Sequence, residues 1–151
     1  MNTLKEIKLS SNWTNVGIYV GGLLCVGFIP VLYFVITNQE FHIGIVVGLL
    51  GFLLLLGFVV YQLLYACDAR IIHDKLVLKK QFRNAKSYTF DRIGYPSSFQ
   101  IKRTKYVSVK MKNDDYSLEK YLIINTNSLL AFENKDAQQL LLRLRNLAMK
   151  Q

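Results

Sequence analysis

Charge is almost missing from the first 67 residues. After Lys8 no Lys, Arg, Asp or Glu occurs over residues 9–39, and after Glu40 none occurs again until Asp68. Runs of that length exclude an ordinary soluble surface, which carries charge at short intervals. Histidine and cysteine are scarce as well, two of each. Cys25 falls inside the first apolar run and Cys67 ends the second, so they make no disulfide framework. With only His42 and His73 to add, no familiar ligand spacing for a metal arises. Lone apolar cysteines read as inert packing residues, and no cofactor or metal is expected. P-loop, GxGxxG, HExxH and GxSxG patterns are all missing. His73 reads as a turn residue beside Asp74. Asp114 and Asp115 are neighbours in a turn, where two carboxylates do not converge as a catalytic pair must. The expectation is a protein that is not an enzyme.

What is present is apolar residue, 52% of the chain, with a mean hydropathy of +0.22. It concentrates in residues 16–36 and 43–66. At about 1.5 Å per helical residue the first run spans about 32 Å, enough for a hydrocarbon core of about 30 Å. In lipid the backbone must satisfy its own hydrogen bonds, so both runs should be helices despite their β-branched and aromatic residues. Residues 37–42 make a tight connection, which predicts an antiparallel hairpin. The first run is too long for a signal-peptide h-region of about 7–15 residues and lacks a cleavage site, so it reads as a retained span. Lys5 and Lys8 precede it, Arg70, Lys75, Lys79, Lys80, Arg83 and Lys86 follow the second span, and the connection has no Lys or Arg. That asymmetry puts both termini in the cytoplasm of a multi-pass inner-membrane protein, with Trp13, Tyr61 and Tyr65 as interface residues. Gly17 and Gly21 in the first span, and Gly44, Gly48 and Gly51 in the second, provide small faces for close packing. In an antiparallel hairpin these two motifs lie at different depths, so each is expected under bulky residues of the other helix or against a second copy.

From residue 69 the pattern changes to short alternating runs, the signature of strands. Seven are expected: 69–72, 75–82, 86–90, 97–103, 106–112, 120–126 and 129–132. Turn chemistry separates most of them, at residues 73–74, 84–85, 94–96, 113–115 and 127–128. Helical spacing then returns, with Asn134 as the expected N-cap and Asp136 in the first turn. Ala137, Leu140, Leu141, Leu144, Leu147 and Ala148 form one apolar stripe that must be buried on the sheet.

Seven short strands and one C-terminal amphipathic helix resemble the pleckstrin-homology-like fold, a bent sheet or partial barrel plugged by its helix. The whole chain is similar to small bacterial membrane proteins with two transmembrane helices and such a domain. The likeness is carried by Lys5-Glu6-Ile7-Lys8-Leu9-Ser10, by Phe90-Asp91-Arg92-Ile93, and by Ile123-Ile124-Asn125-Thr126-Asn127-Ser128-Leu129-Leu130. It implies an α+β membrane protein with an N-terminal tail (1–15), a transmembrane helical hairpin (16–66) and a cytoplasmic domain (67–151). The family's phosphoinositide pattern needs clustered Lys and Arg at the first hairpin, and His73-Asp74-Lys75 carries an acid there instead. No specific headgroup site is therefore expected.

The chain is strongly basic, with a formal charge of +9 carried entirely by the residues from 68 onward. Its partners should be anionic. Alternation in residues 106–112 puts Val107, Val109 and Met111 on one face and Tyr106, Ser108, Lys110 and Lys112 on the other. Lys102, Arg103 and Lys105 precede this strand, and Lys79, Lys80 and Arg83 surround another turn. These eight cations are the candidate surface for a protein partner or for the anionic inner leaflet. Nucleic acid is set aside, since the basic strand offers one aromatic and no recognition motif. The function expected is a non-catalytic, membrane-anchored interaction module. The alternative is an immunity or envelope-protection protein that meets a membrane-acting toxin through its glycine faces.

Overall fold

The structure, a computed structural model, describes residues 6–12, 14–38, 42–126 and 136–150. It divides into two units, residues 15–64 and a second made of the segment ending at Thr14 together with the chain from Tyr65 onward.

The first unit is the helical pair α1 (Thr14–Asn38) and α2 (Ile43–Tyr65). Each is long and apolar enough to cross a membrane. At about 1.5 Å per residue, their 25 and 23 residues make rods of roughly 35 Å. They run antiparallel: Phe28 faces Phe52 with ring centroids 6.4 Å apart, and a Cβ on Gly21 would meet the Val59 side chain at 3.2 Å. No α2 side chain is fully buried.

In the second unit the chain makes β1 (Ile7–Lys8), β2 (Ala66–Ile72), β3 (Lys75–Lys80), β4 (Lys86–Thr89), a 3-10 turn (Phe90–Arg92), β5 (Ser97–Ile101), β6 (Thr104–Lys112), β7 (Leu118–Thr126) and α3 (Ala137–Ala148). The strands form one seven-stranded sheet in the order β4-β3-β2-β7-β6-β5, with β1 added to β2. All pairs are antiparallel except β2 with β7. Six strands lie where the alternation put them, with ends moved by one to three residues. Ala66, read as the last residue of the second span, instead opens β2, which follows α2 without a linker. The strand expected at 129–132 and the turn at 127–128 lie outside the described residues.

The seventh strand comes from the segment read as a tail. β2 and β7 pair only at Ala66 with Leu122 and Cys67 with Ile123. Beyond this they diverge, and the N-terminal segment bridges both. The Leu9 N–H donates to the Ala69 carbonyl and the Ser11 N–H to the Ile124 carbonyl, each at 2.8 Å. Ser10 donates its hydroxyl to Asp68 and accepts from the Ala69 N–H at 3.2 Å. Arg70 joins Asp68 and Glu6 at 2.8 and 2.9 Å. Edges that would otherwise expose N–H and C=O groups are thereby covered.

The core gathers Leu76, Leu78, Tyr88, Val107, Val109, Met111, Tyr121 and Ile123 under α3, which contributes Ala137 and Leu141. The helix cap differs from expectation: Asp136 itself is the N-cap, accepting from the Gln138 N–H at 3.0 Å, and Asn134 lies outside the described residues. The stripe is also shorter than expected. Leu141 is fully buried and Leu140 and Leu144 partly so, while Leu147 is 64% exposed, because the helix runs past the core in its last turn.

Candidate basic surface

In β6 the alternation separates the two faces cleanly: Val107, Val109 and Met111 have no exposed surface, while Lys110 and Lys112 are exposed. The register places Lys110 directly opposite Lys120 of β7 and Lys112 opposite Leu118. The register thus sets two lysines opposite each other on one sheet face, where like charges repel. Lys120 escaped the sequence reading, although a hairpin centred on Asp115 pairs residue 110 with residue 120. Lys112 also lies 4.6 Å from the ring centroid of Tyr116, which projects from the β6–β7 turn.

The eight cations do not form one patch. Lys79 and Arg83 are exposed near the β3–β4 turn, at the end of the sheet where β2 begins. Lys102 and Arg103 are exposed at the β5–β6 turn, at the other end of β6 from Lys112. Lys105 points to α3, where it forms an ion pair with the capping Asp136 at 2.8 Å. Despite burial, that pair holds the Asp136 carboxyl below its usual range.

Lys80 is not on the surface at all. Its side chain is 6% exposed, with the ammonium 2.8 Å from Glu119 Oε1 and 4.5 Å from the ring centroid of Tyr121. Lys86 reaches the other oxygen of Glu119 at 2.8 Å, and Arg83 approaches at 3.6 Å. Burial alone would raise the Glu119 carboxyl, but the hydrogen bonds from Lys80 and Lys86 outweigh it and hold the group at about 2. Tyr121 shares a 2.9 Å hydrogen bond with Tyr88, whose hydroxyl donates to Asn113 at 2.8 Å. Burial first, then the Tyr88 hydroxyl, push Tyr121 far above the ordinary phenol range. This network joins β3, β4 and β7 with the β6–β7 turn. Alternation could not assign Lys80 to it, because its carboxylate partner is distant in sequence.

Gly94 fixes the same closure from the backbone side. Its N–H donates to the Lys110 carbonyl at 2.8 Å, and a Cβ there would meet that oxygen at 2.5 Å. Of the span glycines, Gly21 packs under Val59 and Gly44 lies beside His42, whereas Gly17, Gly48 and Gly51 have open space where a Cβ would be. Burial pushes the Cys67 thiol well above its usual range and keeps it protonated. Among the described residues no three His, Cys, Asp or Glu side chains gather to hold a metal ion, and every buried side-chain nitrogen and oxygen has a partner.

The chain matches no family model, no curated protein and no solved structure. The functional reading therefore rests on its own geometry.

Proposed function

We propose that this protein is a non-catalytic, membrane-anchored interaction module whose helical pair holds a basic, pleckstrin-homology-like sheet domain at the cytoplasmic face of the inner membrane. The observation that carries it is the outer face of β6 and β7, where Lys110 opposes Lys120 and Lys112 continues the row. A face of this kind suits an anionic ligand, either an acidic protein or the lipid leaflet. The β1–β2 pairing supports the topology. Segments before α1 and after α2 share one sheet, which fits both ends of the helical pair on one side of a membrane, and the Lys and Arg asymmetry favours the cytoplasmic side.

The test is recovery of the full chain from membranes in mild detergent, followed by mass spectrometry of co-purifying proteins and lipids. Wild type should retain an acidic protein or an excess of anionic lipid, and Lys110→Glu with Lys112→Glu should lower that retention about tenfold. Equal recovery from both proteins would sink the reading.

A further inference from the structure

We propose that the end of the sheet where β2 begins is a docking surface for anionic lipid, with Phe82, Tyr116 and Leu118 entering the headgroup layer between basic side chains. This rests on the reading above and names its ligand and contact points.

The chain itself ties this end to the bilayer, since Ala66 opens β2 directly after Tyr65 closes a helix long and apolar enough to span a membrane. Lys80 pairs with Cys67, so the β3–β4 turn belongs to this end. Leu122 pairs with Ala66, so residues 118–121 and the turn before them extend beyond the start of β2. At about 3.3 Å per residue that overhang is about 13 Å. The ammonium groups of Lys80 and Lys120 lie 5.8 and 5.3 Å from the ring centroid of Tyr65.

The two turns carry what a water-facing turn avoids. Phe82 is 81% exposed, Tyr116 77% and Leu118 66%. Phe82 and Tyr116 also take left-handed backbone conformations, φ 58° and 64°, which glycine or asparagine would adopt at less cost. Large apolar and aromatic side chains flanked by lysine are the composition of interfacial anchors. Lys79, Arg83 and Lys112 are exposed beside them. The acids nearby are largely answered within the fold: Asp114 pairs with Arg92, and Glu119 with Lys80 and Lys86. Asp115 accepts hydrogen bonds from the N–H and the hydroxyl of Ser117. The remaining balance is positive, which complements a leaflet of anionic lipid and argues against an acidic-lipid-poor surface.

The experiment uses the full chain in nanodiscs. Trp13→Phe removes the single native tryptophan, and one new tryptophan is placed by Phe82→Trp, Tyr116→Trp or Ile101→Trp. Ile101 is also exposed but lies at the opposite end of the β5–β6 hairpin. With acyl-brominated phosphatidylglycerol in the discs, tryptophan emission at 82 and 116 should be quenched several-fold more than at 101. Adding Arg83→Glu and Lys112→Glu should bring the tip signals down to the level at 101. Background quenching at both tips in anionic discs overturns the inference, as does protection of the tips by a co-purifying protein instead of lipid. Neither result touches the co-purification test, so the broader reading fails or survives separately.

Discussion

Replacing Glu119 by Gln removes the carboxylate that pairs with a buried ammonium, that of Lys80, while keeping the shape of the side chain. Lys80 would be left 6% exposed with an amide oxygen in place of a charge. A fall of the Glu119 carboxyl from the ordinary 4.5 to about 2 corresponds to about 3 kcal/mol of preference for the ionised form, at about 1.4 kcal/mol per pH unit. Lys86 and Arg83 are 53% and 66% exposed, and solvent screens their share. A loss of about 2 kcal/mol at pH 7 is therefore expected. For a domain of this size that lowers the unfolding midpoint by roughly 10 °C, readable by circular dichroism of the full chain in detergent. The pH dependence is the sharper readout. Because folding lowers this pKa, the stabilisation is fully present above about 4.5 and is lost as pH falls toward 2. The gap between wild type and Glu119→Gln should accordingly close over that window, since glutamine mimics the protonated acid. A gap that is absent at pH 7, or that stays constant down to pH 2, would refute the assignment of Glu119 as the counterion of Lys80.

Two further substitutions test the frame. Gly94→Ala drives a methyl group to 2.5 Å from the Lys110 carbonyl oxygen, and the backbone shift should cost about 1–3 kcal/mol, seen as a lower unfolding midpoint in the same assay. Asp136→Ala removes both the cap of α3 and the Lys105 ion pair and should cost about 1–2 kcal/mol, whereas Asp136→Asn keeps the cap and should cost less than half as much; equal losses would show that the ion pair, not the cap, matters.

Local chemistry made much of this protein legible in its sequence. Uncharged runs at residues 9–39 and 41–67 marked two membrane-length helices, since apolar length and charge are properties of the chain alone. Period-two alternation marked β2 to β7 and divided β6 into a buried and an exposed row, because a pleated strand sends successive side chains to opposite faces. The C-terminal helix was visible from its leucine spacing, although the cap moved to Asp136 and Leu147 fell outside the core.

Tertiary structure decided what depends on distant partners. Two residues, Ile7 and Lys8, show no strand pattern, and they pair because β2 and β7 diverge and leave edges to cover. Lys80 has the sequence context of a surface lysine, yet Glu119, 39 residues away, makes burial of its charge tolerable. The basic residues also sorted themselves by strand register: Lys110 met Lys120, while Lys102 and Arg103 went to the opposite end. A single chain specifies which way each side chain alternates, but pairing register and sheet curvature determine which of them meet, and those arise only when long-range contacts form together.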